Sequence, residues 1–369
     1  MIGIIIGSLF GAILLGGAIF MNASPQFGGS PTKAQKESYQ TLSYYQDGKF
    51  QNLVPTSMDM SFGDMLSTMR DFMRGDSTRQ PHHQLPVQRL DSLDIANKPD
   101  GIARLTWFGH SAFLLEIDGK NILLDPMLGE SPSPLPLFGS KRYANELPID
   151  VASLPHINAV IISHDHYDHL DYSSIRQLKD KVDAFYTPLG VGAHLAAWGV
   201  DEAKIHELKW GDEATHEGLT FICTPARHFS GRGLFDRFST LWASWVIKSA
   251  EKSLYFSGDS GYGPHFKEIG DKYGPFDIAM MECGQYNERW ENIHMFPQQT
   301  VQAFQDVQGR LLMPIHWGAF SLALHSWTDP IERVAAKAKE LNVPLATPRI
   351  GEPIDLNLST APSTRWWEN

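Results

Sequence analysis

Cysteine is nearly absent: Cys223 and Cys283 are the only two in 369 residues, each inside an apolar run. That leaves no disulfide framework and reads as two buried free thiols. Positive charge is also scarce, with 31 Lys and Arg against 42 Asp and Glu, a net charge of -11 and an isoelectric point near 5.7. A broad basic face for nucleic acid is thereby excluded, and no nucleic-acid partner is expected. An anionic substrate is still allowed, because bound cations would invert the local potential. The sequence has no Gly-x-Ser-x-Gly elbow and no His-Glu-x-x-His helix. Gly261-x-Gly263 and Gly190-x-Gly192 lack the third glycine and the βαβ context of a dinucleotide fingerprint.

One long apolar run is present. Ile2 to Met21 holds Ser8 as its only clearly polar side chain, and about 20 such residues at 1.5 Å rise span a bilayer core. No Lys or Arg precedes the run, Met21-Asn22-Ala23 is a poor cleavage site, and no cysteine follows for lipid attachment. The expectation is an uncleaved single-pass N-terminal transmembrane helix over residues 1–21, and hence a membrane location. The flanking charges do not set its side: Lys33 and Lys36 are diluted by Glu37 and Asp47. Residues 22–100 read as a linker and helical extension. In that extension Met58, Phe62, Met65, Leu66, Met69, Phe72 and Met73 fall near helical spacing. Such a stripe is expected to pack on the main domain; the sharper alternative is an adaptable face for lipid or an acyl chain. Residues 101–356 read as the catalytic domain and 357–369 as a polar tail carrying an unexplained Trp366-Trp367 pair.

The chemistry concentrates in Val160-Ile161-Ile162-Ser163-His164-Asp165-His166-Tyr167-Asp168-His169. A β-branched run empties into a loop crowded with metal-ligand side chains. His164 and His166 alternate, so an extended backbone points both imidazoles to one side. Asp168 and His169 follow, displaced enough to serve a second ion. The same grammar recurs later: strand Leu219–Thr224 leads to His228, Leu254–Gly258 to Asp259, and Leu311–Ile315 to His316. Any one of these is weak on its own. Together they describe ligands held on one sheet edge, with loops leaving a coordination position open. The remaining histidines carry no ligand spacing; His110 reads as a structural hydrogen-bonding residue and His82-His83 as an exposed loop.

His-x-His-x-Asp-His followed by His228, Asp259 and His316 resembles the metallo-β-lactamase superfamily. Thr106-Trp107-Phe108-Gly109-His110-Ser111, His166 to Asp171, Gly258 to Tyr262, Gly274 to Asp277 and Ile315-His316-Trp317-Gly318 are similar to its N-acylphosphatidylethanolamine-hydrolysing phospholipase D branch. The resemblance implies an α/β (α+β) fold, an αβ/βα four-layer sandwich of two mixed sheets with helices outside. It implies two zinc ions, one on His164, His166 and His228, the other on Asp168, His169 and His316, with Asp259 bridging. Iron or manganese suit the same donors. Tyr167 and His294 match substrate-side positions, and Asp125 matches an acid that orients a ligand imidazole. Met281-Glu282-Cys283-Gly284 and Gln285-Tyr286-Asn287 depart from the phospholipase pattern.

The expected activity is zinc-dependent phosphodiester hydrolysis of glycerophospholipids by a metal-bridging hydroxide. Asp259 would orient the attacking oxygen, and His294 would assist the substrate or leaving group. Phosphatidic acid and an N-acylethanolamine would be released. The alternative is a two-metal lactonase or carboxylic-ester hydrolase, with a nuclease disfavoured by charge. Beyond the phospholipid and the membrane contact through Ile2–Met21, no protein partner is identifiable.

Overall fold

The computed structural model describes every residue except 1–10, 12–14, 18, 22, 58–60, 136–138 and 369. Short hairpin strands β1 (Tyr45–Gln46) and β2 (Lys49–Phe50) precede two larger sheets. The first sheet comprises β3 (Ala103–Trp107), β4 (Phe113–Ile117), β5 (Lys120–Leu124), β6 (Ile157–Ile161), β7 (Val182–Pro188), β8 (Ile205–Leu208) and β15 (Pro353–Asp355). Its order is β15-β3-β4-β5-β6-β7-β8. Pairing is antiparallel from β15 to β5 and parallel from β5 to β8. The second sheet comprises β9 (Glu213–His216), β10 (Leu219–Thr224), β11 (Ser244–Lys248), β12 (Ser253–Phe256), β13 (Ile278–Glu282) and β14 (Leu312–Ile315), in the order β14-β13-β12-β11-β10-β9. Its β12, β13 and β14 run parallel and the others antiparallel. Both sheets are therefore mixed, as the resemblance implies.

The β4–β5 turn illustrates how local sequence sets this frame. Asp118 and Gly119 both take positive φ (49° and 78°), the left-handed pair that a two-residue hairpin demands. Along β4, Phe113, Leu115 and Ile117 enter the core shared by the two sheets, which also holds Phe221, Trp245 and Phe256. Leu114 enters a second core with Val160, Ile175 and Leu195, beneath the helices Tyr172–Leu178 and Gly192–Ala197. Burial on both faces explains why these strands read as continuous apolar runs. Helices His265–Tyr273, Pro297–Asp306 and Asp329–Glu340 accompany the second sheet. The C-terminal segment returns to the core: Trp366 and Trp367 are buried against Trp317.

Two expectations need correction. Among the described residues no helix is long and apolar enough to cross a membrane. The single-pass N-terminal transmembrane helix over Ile2–Met21, and the membrane location built on it, are therefore not supported. Most of that segment lies outside the described residues, and apolar composition alone does not make a spanning helix. The apolar stripe of the second extension helix, Phe62–Arg74, is also largely uncovered. Phe62 and Met73 are 76% and 72% exposed, and the buried side chain is Thr68. The helix is held by its polar side: Arg289 donates to Thr68 Oγ1 at 3.0 Å and pairs with Asp71 Oδ2 at 3.0 Å.

Candidate metal centre

Strands that run the same way in a sheet end on the same edge, so residues just past their C-termini meet. β6 ends before the His164–His169 loop, β10 before His228, β12 before Asp259 and β14 before His316. Backbone conformation re-aims several of these side chains. His316 (φ 68°), Asp125 (φ 37°) and His110 (φ 56°) are left-handed non-glycine residues, an uncommon conformation that concentrates at functional sites. Gly258 (φ 55°), one residue before Asp259, has no room for a side chain. A Cβ there would lie 2.8 Å from Ala243 O and 2.8 Å from Ser163 Cβ.

His164 Nε2 is 2.9 Å from His166 Nδ1, and His228 Nε2 is 3.2 Å from the same atom. Asp259 Oδ2 lies 3.8 Å from His164 Nε2 and 3.7 Å from His228 Nε2. The other oxygen of the same carboxylate, Oδ1, lies 3.1 Å from His169 Nε2 and 3.0 Å from His316 Nδ1. Asp168 Oδ2 is 3.6 Å from His169 Nε2, 3.9 Å from His316 Nε2 and 2.9 Å from His110 Nε2. The structure thus brings all seven expected ligands together: His164, His166 and His228 gather with Asp259, and Asp168, His169 and His316 with His110, while Asp259 and His316 also form a third group with His294.

The residues fit a pair of cations. Tetrahedral bonds of roughly 2.0–2.1 Å to nitrogen and oxygen put donor atoms about 3.3 Å apart, within the spread of the first cluster. His169 Nε2 and Asp259 Oδ1 are buried and, although 3.1 Å apart, are not aligned for a hydrogen bond and have no other partner, a state that ordinarily costs free energy. The second cluster is also short of positive charge. Burial alone would lower His169, yet Asp259, Asp168 and Asp125 outweigh it and hold the imidazole well above its ordinary value. Burial and neighbouring imidazoles hold His164 well below its usual value, which favours the neutral ring with one nitrogen lone pair open to a cation. Burial would raise Asp259, but the charges of His169 and His316 keep it well below the usual carboxylate range.

The atoms behind the clusters fix the rings. Asp125 Oδ2 is 2.6 Å from His169 Nδ1, and the same carboxylate accepts from the Ser163 amide at 2.6 Å and the Ser163 hydroxyl at 2.5 Å. His228 Nδ1 is 3.0 Å from the Ile293 carbonyl, which accepts its proton. Asp165, inside the histidine motif but outside both clusters, accepts from Thr240 Oγ1 and the Gly231 amide, each at 2.8 Å.

A cavity of ≈ 560 Å³ opens over the clusters. Its floor includes His166, Asp168, Asp259 and His316; His294, Arg237 and Arg289 add polar walls, and Met65, Phe229, Trp290, Ile293 and Leu322 add apolar ones. His294 Nδ1 sits 2.6 Å from Glu282 Oε1. Burial pushes Glu282 up to about 7. Burial would lower His294, but the Glu282 charge and hydrogen bond outweigh it and raise the imidazole.

Tyr167 is the expected substrate residue that the structure does not bring to the cavity. Its hydroxyl donates to the Arg232 carbonyl at 2.6 Å, and its ring lies 4.0 Å under the Arg232 guanidinium and packs on Phe27. The tyrosine is consumed in pinning the metal loop to the N-terminal segment. Sequence reasoning misses Arg237 and Arg289, which follow no strand end. It also leaves Glu282 without a role, although that residue closes β13 in the same strand-end pattern as the ligands.

Comparison with known proteins agrees with this geometry. The family model described as "Beta-lactamase superfamily domain" matches residues 120–317. An uncharacterised protein of Mycobacterium tuberculosis is 41% identical over 330 residues, 88% of this chain and 87% of that one. The N-acyl-phosphatidylethanolamine-hydrolyzing phospholipase D 1 of Caenorhabditis elegans is 31% identical over 250 residues, 64% of this chain and 69% of that one. Among solved structures, a metallo hydrolase from Ignicoccus hospitalis superposes with a TM-score of 0.51 at 23% identity, over 68% of this chain and 97% of the other. The chain belongs to the metallo-β-lactamase superfamily, as a metal-dependent hydrolase resembling the N-acylphosphatidylethanolamine-hydrolysing phospholipases D.

Proposed function

We propose that this hydrolase cleaves the phosphodiester of glycerophospholipids, releasing phosphatidic acid and an N-acylethanolamine from N-acylated ethanolamine lipids. The observation that carries the reading is the amphiphilic cavity. Its metal-ligand floor and Arg237 suit a phosphate, and its apolar walls reach Met65 on a helix whose neighbouring Leu66, Met69 and Met73 are exposed. Acyl chains suit such a surface. The likeness to the worm phospholipase supports the same class.

His164, His166 and His228 would hold one zinc ion and Asp168, His169 and His316 the other, with Asp259 between them. When bound, the two ions supply a water activated near neutral pH and positive charge facing the phosphate oxygens. The protein's own part is positional. Asp259 orients the attacking water, Asp125 holds the His169 ring, and Arg237 draws the anionic substrate to the floor. The water oxygen bonds to phosphorus as the P–O bond to the N-acylethanolamine breaks. His294 hands a proton to the departing oxygen, and the proton left by the attacking water restores the imidazole.

The test is a lipid panel on metal-loaded protein, read by mass spectrometry for phosphatidic acid. N-acylphosphatidylethanolamine should be consumed with one phosphatidic acid formed per turnover. Hydrolysis of a lactone with the lipids untouched would assign the site to carboxylic esters instead.

A further inference from the structure

We propose that Glu282 is the positioning residue for His294, fixing which imidazole nitrogen faces the substrate. Only the identity of the leaving group rests on the phosphodiesterase reading.

Glu282 is the last residue of β13, wholly buried, and pairs in register with Ile315, the residue before His316. Its main chain is anchored twice: the amide donates to Ser257 Oγ at 2.9 Å, and the carbonyl accepts from Thr300 Oγ1 at 2.8 Å. Both carboxylate oxygens are occupied. Oε1 faces His294 Nδ1 at 2.6 Å, while Oε2 accepts from the amides of Ser260 at 3.2 Å and Met295 at 3.3 Å. Those two amides immediately follow Asp259 and His294. One side chain therefore spans the loop carrying the shared carboxylate and the loop carrying the cavity histidine.

The chemistry of the contact dictates its consequence. Oε2 is taken by two amide donors, so the one hydrogen this pair shares lies on the short Oε1–Nδ1 line. Nε2 is left as the nitrogen of this cavity-lining ring that carries the proton passed to a substrate oxygen. The two amide donors on Oε2 prevent the carboxylate from turning away. Burying an acid so near Asp259 is costly unless it is fully paired, and packing alone would be served by an apolar side chain. The same division of labour, in which one acid orients a histidine whose other nitrogen does the chemistry, recurs wherever imidazole must present a defined tautomer.

Glu282→Gln separates orientation from packing, because it keeps the volume and removes the acid. The glutamine carbonyl satisfies the Ser260 and Met295 amides, its NH2 group faces His294, and the tautomer reverses. Long-range 1H–15N spectra of the histidine rings should show His294 losing its Nδ1–H. With N-acylphosphatidylethanolamine as substrate, kcat should fall on the order of 10²-fold, with KM and the content of bound zinc unchanged. In a His294→Gln background the Glu282→Gln change should cost nothing further. An equal loss in both backgrounds, or zinc lost in step with activity, would overturn the proposal and place Glu282 in support of the Asp259 loop. Should the wild-type protein leave the lipid intact, the phosphodiesterase reading fails, while the ring spectra still decide the Glu282–His294 pairing.

Discussion

Asp125 leaves β5 in a left-handed turn, and its carboxylate is shared between the Ser163 backbone and the His169 ring. Neither contact is with substrate, yet together they decide where His169 Nε2 points. The carboxylate also keeps the hydrogen on Nδ1, leaving Nε2 free to bind a cation. Asp125→Asn retains the volume but offers an amide that satisfies the ring or Ser163, not both. Metal affinity, probed with zinc, should fall about 10–100-fold, measured by competition with a chromogenic chelator, with little change in fold by circular dichroism. Unchanged affinity would mean that the His169 ring is held by packing alone. The ligand residues are legible in the sequence because each follows an apolar strand by a few positions. The supporting residues divide by the same criterion. Asp125 and Glu282 close strands and share the signal, whereas Arg237 and Arg289 reach the cavity from loops whose local composition marks nothing.

The Phe62–Arg74 helix is the element whose placement sequence periodicity misjudges. Helical spacing of its methionines and phenylalanines is there, and the start is marked by a capping box of Ser61 and Asp64. What periodicity cannot say is which face docks. Here a side-chain contact far away in sequence decides: the Arg289 guanidinium, from the loop after β13, holds Thr68 and Asp71. That leaves the apolar face beside the cavity mouth and the helix with few buried contacts, a condition for local opening. Asp71→Asn combined with Thr68→Val removes this tether without touching the metal ligands. Amide hydrogen exchange across residues 62–74 should speed up several-fold, and on the proposed lipid substrate KM should rise while kcat holds. Unchanged exchange would show that the exposed face, not the arginine, secures the helix. Elsewhere β10 and β13 stand where an apolar run of their length predicts. β8 and β9 escape that pattern because they are short, with alternating exposed positions that resemble loop.

At the scale of the whole molecule, pH acts through buried histidines outside the ligand set as well as through the site. Burial is the main cause that pushes His265 down to about 3, and burial likewise pushes His325 down to about 4. His265 packs its ring on Phe266 with Nε2 3.1 Å from Ser260 Oγ, and His325 stacks on Tyr286. In the unfolded chain both titrate near 6.5. Above that pH neither state takes a proton there, and these groups leave stability unchanged. Below it the unfolded chain binds protons that the native chain refuses, so stability falls as pH drops from about 6.5 toward 4 for His325 and 3 for His265. At roughly 1.4 kcal/mol per pH unit, each costs on the order of 2 kcal/mol by pH 5. Loss of metal through protonated ligands acts in the same direction, so the comparison must hold that contribution fixed. Replacing both histidines with glutamine does so, because neither belongs to the ligand clusters. Denaturant midpoints recorded from pH 7.5 to 5 at constant free zinc should decline less steeply in the double variant than in wild type. Parallel curves would assign the whole acid sensitivity to the metal centre.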